Sequence, residues 1–241
     1  MRHAVAMKIP LAIHRWSLTT QQAIRLQRRL AAMVRQTPLR RRPRLIAGGD
    51  ATIDPTGAWM IAGWVVWDVQ TREVVESVVA VRPVRFPYVP GLLSFREAPA
   101  LIAAARKLRR EPEVFMLDGQ GLAHPRRFGL ACHVGVLLDR PSLGCAKSLL
   151  CGTPEPSILS PASHAFSEKA GAWRPLADRG EVIGRVLRTR AGVKPVYVSV
   201  GHRLTLDEAA AVAWRCCWGF RLPEPARLAH QLVSRQRILR P

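Results

Sequence analysis

The hydrophobic pattern begins with an amphipathic stretch close to the N-terminus. Between residues 19 and 34 the apolar side chains recur at helical spacing, which predicts a helix. The basic run at 40–44 interrupts this pattern. Such a run is more commonly a solvated linker, and the alternative is a segment that contacts phosphate. The apolar positions of the predicted helix are Ala23, Ile24, Leu26, Leu30 and Met33.

Three apolar, β-branched runs follow the linker, and each is bounded by residues that favour turns. The runs cover residues 45–51, 59–68 and 74–81, and they are typical of strands. The separators at 54–57 and 70–72 are short, which favours antiparallel hairpins over crossover connections. The chain is therefore expected to begin its sheet with a three-stranded antiparallel meander.

Helical and strand patterns alternate over the rest of the chain. Thr205 stands three residues before Glu208, a capping box that predicts the start of a helix. The segment 154–179 is rich in Pro, Ser and Ala, and we expect it to form a long loop. The remaining predicted elements are a helix at 94–110, a strand at 114–117, a helix at 128–138, a strand at 142–146, a strand pair at 180–190 and 195–200, and a last helix at 226–235.

This order of elements predicts an α/β fold. Antiparallel strands that lead into βαβ units form a mixed sheet with helices on both faces. With 241 residues, of which 48% are hydrophobic, the chain can bury one substantial core. We expect a single domain over residues 1–241, in which residues 1–16 form a flexible N-terminal extension.

The composition is strongly basic. A net charge of +20 at pH 7 attracts polyanions, which makes nucleic acid the leading class of partner. A genome rich in arginine codons would give the same composition, so charge alone does not decide the matter. No apolar run approaches the ~18 residues of a membrane span, and the N-terminus lacks the apolar core of a signal peptide.

The five cysteines point to a reducing environment. They are odd in number and form no CxxC pair, which argues against a zinc site or a disulfide framework. We therefore expect a cytoplasmic protein with free thiols. The cysteines are Cys132, Cys145, Cys151, Cys216 and Cys217.

Three acidic residues stand where this fold would bring them together. Asp50 lies in the first predicted strand, Glu97 in the first turn of the helix at 94–110, and Asp118 at the end of the fourth strand. Each has an ordinary explanation by itself, as a turn cap or as a partner of the helix dipole. Acids on strand one, the following helix and strand four are, however, the arrangement of ribonuclease-H-like nucleases. Carboxylates so placed suit the oxygen ligand shell of Mg²⁺.

More specific motifs make the chain similar to the endonuclease V family, the deoxyinosine-directed nucleases. The similarity runs from about residue 17 to about residue 233, which is nearly the whole chain. One departure is Gly49, where the family usually carries a bulkier apolar residue, and this predicts a looser first strand. The motifs that carry the similarity are Ile46-Ala47-Gly48-Gly49-Asp50, the segment 87–97 with Pro87-Tyr88-Val89-Pro90, Asp118-Gly119-Gln120-Gly121, His124-Pro125-Arg126, Gly144-Cys145-Ala146-Lys147-Ser148 and Val200-Gly201-His202-Arg203.

The resemblance implies a catalytic centre with bound Mg²⁺, for which Mn²⁺ can substitute. It places the metal-binding acids at Asp50, Glu97 and Asp118, and it places His202 near the metal or the scissile phosphate. Lys147 would contact phosphate or stabilise charge near the metals. On the bare sequence, a lone histidine after glycine such as His202 is more often a loop residue that forms a hydrogen bond, and Lys147 is equally an ordinary surface lysine.

The resemblance also implies a wedge and a base pocket. Pro87, Tyr88, Val89 and Pro90 match a segment that enters the duplex at the lesion, and two prolines would stiffen the backbone around the Tyr88 ring. Without the resemblance, a Pro-Tyr pair is an ordinary rigid turn. The positions that match those framing the extruded base are Gly91, Leu93, Gly119, Gly121 and His124, and glycines would let backbone groups approach the base edge.

The implied function is hydrolysis of DNA at the second phosphodiester on the 3′ side of deoxyinosine, by a monomer. Inosine in RNA is an alternative substrate, since the sequence does not locate a contact to the 2′-hydroxyl. A non-catalytic nucleic-acid-binding protein on the same fold is a further alternative, but it predicts the loss of a metal carboxylate, and all three are present. A zinc base deaminase needs His-x-Glu and Pro-Cys-x-x-Cys, and neither motif occurs.

Overall fold

The computed structural model describes residue 10 and residues 13–155 and 166–238. Most of the expected flexible extension over 1–16 lies outside the described residues. Its described end is packed, since His14 Nε2 lies 2.8 Å from His133 Nε2 and Trp16 packs against the core.

The first half of the sheet is the predicted meander. Strands β1 (Leu45–Ile53), β2 (Trp59–Asp68) and β3 (Glu73–Pro83) pair antiparallel in chain order. In the first turn the Asp54 carboxylate accepts hydrogen bonds from the Trp59 amide, at 2.9 Å, and the Thr56 hydroxyl. A side chain that closes a turn in this way explains why a short polar separator is sufficient.

Two parallel strands extend the sheet beyond β1. Helix α2 (Leu93–Ala105) leads to β4 (Val114–Leu117), and α3 (Leu130–Leu138) leads to β5 (Ser142–Ala146). Strand β4 pairs parallel with β1, and β5 pairs parallel with β4. These are the predicted βαβ units, and parallel pairing requires such crossover helices.

The second half of the sheet contains two strands that the sequence pattern does not predict. Strands β6 (Thr153–Pro154) and β7 (Trp173–Asp178) fall in the segment expected to be a loop, so that expectation is wrong at both ends. The sequence does not predict β7 because the strand contains Pro175, and proline, which lacks an amide proton, is rare within strands. Strands β8 (Glu181–Leu187) and β9 (Val196–His202) form the predicted strand pair, which is antiparallel, and the full order is β3-β2-β1-β4-β5-β9-β8-β7-β6.

Helices cover both faces of this mixed sheet, as predicted. Helices α2 and α3 bury one face, and α4 (Leu206–Arg215) and α5 (Glu224–Ile238) bury the other. Helix α1 (Thr20–Ala31) packs on the outside of α3 through a smaller aromatic cluster. Capping boxes start both α1, at Thr19, and α4, at Thr205. No helix among the described residues is long and apolar enough to cross a membrane.

Gly49 has a packing explanation. A β-carbon at Gly49 would stand 2.3 Å from the Trp64 ring, so this indole occupies the space that a larger side chain would need. Trp64 is fully buried and donates a hydrogen bond of 2.8 Å to the Leu101 carbonyl. Strand β1 is therefore closely packed at Gly49, and the expectation of a looser strand is wrong.

Candidate active site

Two of the predicted acids meet at one edge of the sheet. Asp50 lies within β1 and Asp118 directly follows β4, and the Asp118 amide donates to the Gly49 carbonyl at 3.1 Å. Because β1 and β4 run parallel, their carboxyl ends reach the same edge, where open α/β sheets bind ligands. Both side chains are nearly buried, with exposed fractions of 12% for Asp50 and 11% for Asp118.

A histidine from the C-terminal helix completes this cluster. His230 Nδ1 lies 2.8 Å from Asp50 Oδ2, and ligand atoms of Asp50, Asp118 and His230 all lie within 4.8 Å of one another. Helix α5 can approach β1 closely because Gly48 has no β-carbon. A β-carbon there would stand only 2.0 Å from the Pro225 carbonyl oxygen. The sequence predicted this helix but not its contact with β1, so His230 was missed. The only sequence signal for this contact was Gly48, since a glycine in a strand indicates that another part of the chain comes close but not which part.

Glu97 approaches the same cluster from helix α2. The helix begins at Leu93, which puts Glu97 in the second turn and not the first. The interpretation of Glu97 as a partner of the helix dipole is therefore wrong, because the dipole acts within the first turn. Burial, together with the charges of Asp50 and Asp118, raises the pKa of Glu97 to about 8. Burial and the Asp118 charge also raise the pKa of Asp50. Glu97 is not among the atoms that lie within 4.8 Å of one another, so it stands at the margin of the cluster.

The donor set of this cluster fits a hard divalent cation. Burial raises the pKa values of Asp50 and Glu97 most, and repulsion between neighbouring carboxylates raises them further. A bound cation removes the repulsion, and carboxylate oxygens are the ligands that Mg²⁺ prefers. Asp50, Asp118 and Glu97 would supply the oxygens and His230 a nitrogen, and these four side chains are called the metal site below.

Lys147 also belongs to this region. Its ammonium group forms an ion pair with the Asp118 carboxylate, and 36% of the lysine side chain is exposed. Strand β5 ends at Ala146, so its carboxyl end places Lys147 beside the carboxyl end of β4. The structure therefore brings Lys147, Asp50, Asp118 and Glu97 together as predicted.

His202 is the predicted site residue that the structure places elsewhere. It ends β9 opposite Ser142, the first residue of β5, and so lies at the other edge of the sheet from Asp118. Its Nδ1 accepts from the Arg35 amide at 3.2 Å, and its Nε2 lies 3.4 Å from Asp139. Because β9 runs antiparallel to β5, its last residue returns to the edge away from the metal site. A position of His202 near the metal is therefore wrong.

The segment 87–90, called the wedge below, stands beside a cavity of about 160 Å³. Tyr88 is largely exposed, with 67% of its surface accessible. This cavity, called the base cavity, is large enough to receive a planar ring and is apolar over much of its wall. The predicted residues that line it are Tyr88, Val89, Pro90, Gly91, Leu93 and His124.

The carbonyl of Gly91 anchors the end of the wedge. It accepts hydrogen bonds from Gln27 Nε2 at 3.0 Å and from Arg126 Nη2 at 2.7 Å, and His124 Nε2 lies 3.1 Å away. The Arg126 amide donates to His124 Nδ1, so the proton of the neutral ring is on Nε2 and points at Gly91. Burial lowers the pKa of His124 to about 4, which keeps this ring neutral. Gly91 itself has φ +76°, a conformation that favours glycine.

Three other predicted substrate-binding residues do not line the base cavity. Gly119 and Gly121 lie behind it, whereas Gln120 between them is part of the wall. A β-carbon at Gly121 would stand 2.0 Å from the Val200 carbonyl oxygen, and the Gly121 amide donates to Ser199 Oγ at 2.8 Å. Gly121 therefore permits close packing on β9, and its amide is not free to reach a base. Pro87 lies at the outer end of the wedge, also away from the cavity wall.

Fold and site together define a class of protein. An antiparallel meander that continues into parallel strands, with carboxylates at the ends of β1 and β4 and on α2, is the architecture of a ribonuclease-H-like, metal-dependent nuclease. The model of the family described as Endonuclease V matches residues 28–231. The chain belongs to the endonuclease V family, and it is accordingly an endonuclease.

Known relatives resemble the chain over nearly its whole length. An endonuclease V of Gloeobacter violaceus is 46% identical over 222 residues, which cover 91% of this chain and 87% of that protein. The crystal structure of endonuclease V from Streptomyces avermitilis is 38% identical with a TM-score of 0.83, covering 96% of this chain and 97% of that one. Endonuclease V of Ciona intestinalis, solved with a 24mer DNA containing an inosine followed by a ribo-adenosine, is 25% identical with a TM-score of 0.74 and covers 88% and 95%.

Proposed function

We propose that this protein is a Mg²⁺-dependent DNA repair endonuclease that recognises deoxyinosine. It hydrolyses the second phosphodiester on the 3′ side of the lesion and leaves 3′-hydroxyl and 5′-phosphate ends. The observation that carries this proposal is that one helix, α2, supplies Glu97 to the metal site and Leu93 and Ser94 to the wall of the base cavity. The inosine-containing DNA bound by the Ciona relative supports the choice of lesion.

Recognition in this proposal begins with base extrusion. A base within a duplex is not accessible to a cavity in the protein, so the deoxyinosine must leave the stack before it is bound. Tyr88, exposed at the tip of the wedge, takes the vacated place in the stack. The base cavity then receives the hypoxanthine ring, and the backbone around Gly91 stays fixed because three side chains hold its carbonyl.

Catalysis in this proposal follows from the charges around the cleaved phosphate. When bound, Mg²⁺ lowers the pKa of the attacking water and neutralises charge on the leaving oxygen. Asp50, Asp118 and Glu97 hold it in place, and His230 orients the Asp50 carboxylate through its hydrogen bond. Lys147, which pairs with Asp118, adds a positive charge where the phosphate would lie.

The experiment is cleavage of matched oligonucleotides that carry one inosine. Deoxyinosine DNA, inosine RNA and the corresponding adenine-containing strands are incubated with Mg²⁺, Mn²⁺ or Ca²⁺, and the cut position is mapped on a sequencing gel. We expect cleavage of deoxyinosine DNA with Mg²⁺ and Mn²⁺ but not with Ca²⁺, because Ca²⁺ accepts looser coordination. Cleavage of neither inosine substrate would refute the proposal, and exclusive cleavage of RNA would replace DNA by RNA as the substrate.

An Asp50→Ala variant separates catalysis from binding. It should lose cleavage and retain affinity for deoxyinosine DNA, because Asp50 lies in the metal site and not in the wall of the base cavity. Undiminished cleavage would refute the metal assignment. We further propose that the protein acts in the cytoplasm as a monomer and that residues 1–241 form one domain, which sedimentation equilibrium and limited proteolysis would test.

A further inference from the structure

A second cavity adjoins the start of the wedge at Arg85 and Phe86. Its volume is about 260 Å³, and it shares no lining residue with the base cavity. Four arginines line it: Arg82 at the end of β3, Arg85 just before the wedge, and Arg96 and Arg106 on α2. Trp16 and Phe86 contribute to its apolar floor. This cavity is called the arginine groove below.

The charges in the arginine groove are not balanced by carboxylates. None of its lining side chains is acidic, and within the described part of the chain Arg82, Arg85 and Arg106 form no ion pair. Arg96 Nε is buried and has no hydrogen-bond partner among the described residues. A buried donor without an acceptor is rare in folded proteins and calls for a ligand that supplies one. Phosphate oxygens are the acceptors that arginine recognises best.

The groove has the length of a stretch of nucleic-acid backbone. Arg96 and Arg106 are ten positions apart along α2, which corresponds to about 15 Å at the helical rise per residue. Arg82 and Arg85 extend the positive surface along the strand that leads into the wedge. A single phosphate would contact one end of such a groove, whereas several consecutive phosphates would contact all of it.

The position of the groove decides which strand it can hold. The strand that carries the lesion must reach the base cavity with its extruded base and the metal site with its scissile phosphate, and neither of these shares a residue with the arginine groove. The groove instead adjoins the wedge at Phe86 and at Arg96, whose guanidinium lies 5.9 Å from the Tyr88 ring. A wedge that separates the duplex at Tyr88 would direct the second strand towards this groove.

We propose that the arginine groove binds the phosphates of the strand opposite the deoxyinosine. This inference rests on the proposed function, and it means that the protein contacts both strands of the duplex at the lesion. The test is binding without divalent metal, measured by fluorescence anisotropy with three probes. The probes are a duplex with one deoxyinosine, the same deoxyinosine strand alone, and an undamaged duplex.

The variant is R82A/R85A/R106A, three exposed changes that leave Arg96 and the metal site in place. At ~150 mM salt we expect its affinity for the deoxyinosine duplex to fall tenfold or more, and the slope of log K against log salt to fall by about 2 to 3. Its affinity for the single deoxyinosine strand should stay within about twofold, which also shows that the variant is folded. The matched control is R42A/R109A/R110A, which removes three exposed arginines that do not line the groove and should leave duplex affinity nearly unchanged.

Each result supports or overturns the assignment. If R82A/R85A/R106A lost equal affinity for the duplex and the single strand, the lesion strand would be the one that binds in the groove. If it lost affinity for neither, the groove would have no part in DNA binding. A loss in the control variant as large as in the groove variant would show only the effect of net charge. If the wild-type protein did not prefer deoxyinosine DNA to undamaged DNA, the proposed function would be refuted. The variant's affinities for duplex and single strand would still show whether the groove binds the opposite strand.

Discussion

His230 and Asp50 are in contact although 180 residues separate them in the chain, with 2.8 Å between Nδ1 and Oδ2. The contact depends on helix α5 lying directly on β1 at Gly48. It fixes the direction in which the Asp50 carboxylate points, and it brings a nitrogen ligand to the two aspartates. The C-terminal helix therefore contributes to the candidate metal site, although its sequence carries no metal-binding pattern.

The first prediction concerns this histidine. Replacing His230 with Ala should lower kcat by about 10- to 100-fold and raise the Mg²⁺ concentration needed for half-maximal activity, as expected for a side chain that orients or supplies a metal ligand. The control is His202→Asn, which changes a histidine at the opposite edge of the sheet and should leave the Mg²⁺ dependence unchanged. Steady-state kinetics over a Mg²⁺ titration would measure both, and the reverse pattern would restore His202 to the site.

The second prediction concerns Glu97 and pH. Its pKa is raised from 4.5 in the unfolded chain to about 8 in the metal-free fold, so the folded state holds a proton that the unfolded state releases. Stability of the metal-free protein must then fall as pH rises from about 4.5 to 8. Glu97→Gln removes this titration and should stabilise the metal-free protein at pH 8 by a few kcal/mol, since each pKa unit corresponds to about 1.4 kcal/mol.

Urea unfolding in chelator between pH 5 and 8 would measure this effect. The gap between Glu97→Gln and the wild-type protein should widen as pH rises, whereas the exposed Glu73→Gln should follow the wild type throughout. A constant gap would contradict the raised pKa of Glu97. Because metal binding must release the Glu97 proton, affinity for Mg²⁺ should also rise with pH up to about 8.

The third prediction concerns the anchor of the wedge. A β-carbon at Gly91 would stand 2.6 Å from Arg126 Nη2, and Arg126 is held there by its bonds to Gly91 and Gln27. Gly91→Ala should therefore weaken binding of deoxyinosine DNA about tenfold and also cost about 1 to 3 kcal/mol of stability through its positive φ. Gly180→Ala provides the control, since Gly180 has φ +77° but no atom within 4 Å of the added carbon.

Thermal melts and DNA binding together separate the two effects of Gly91→Ala. Both variants should lose similar stability, because both place an alanine at a positive φ. Only Gly91→Ala should lose affinity for the lesion. Equal affinity in the two variants would show that the Gly91 carbonyl and its three donors do not position the wedge.

The fourth prediction concerns the pair formed by Gly49 and Trp64. Gly49→Ala should destabilise the protein by about 1 to 3 kcal/mol, because the added carbon overlaps the buried Trp64 ring. In a Trp64→Leu background the same change should cost little, since the ring is gone. Chemical denaturation of the two single variants and the double variant would give the coupling, and additive effects would contradict the packing explanation.

The sequence predicted elements better than contacts between distant elements. Capping at Thr205, the meander and the βαβ units follow from local patterns, and they were enough to place Asp50 and Asp118 at one edge of the sheet. The position of His202 depended on the direction of β9, and a run of apolar residues does not state whether a strand is parallel or antiparallel. His230 depended on where α5 lies, which is set by tertiary packing on Gly48.

The base cavity shows a similar division. Wedge residues that are consecutive in the chain could be recognised together, and most of them do line the cavity. Gly119 and Gly121 share the glycine signature of a binding loop, but Gly121 serves a close approach to β9. A glycine in a sequence indicates that something comes near, whether a ligand or another part of the backbone, and only the fold shows which.

The location of His230 on the last helix has a consequence for biosynthesis. Asp50, Glu97 and Asp118 leave the ribosome well before α5, which begins at Glu224. Strand β1 meanwhile has an open face at Gly48 where that helix will pack. A nascent chain therefore displays the acids without the histidine, and the complete metal site forms only after α5 has emerged.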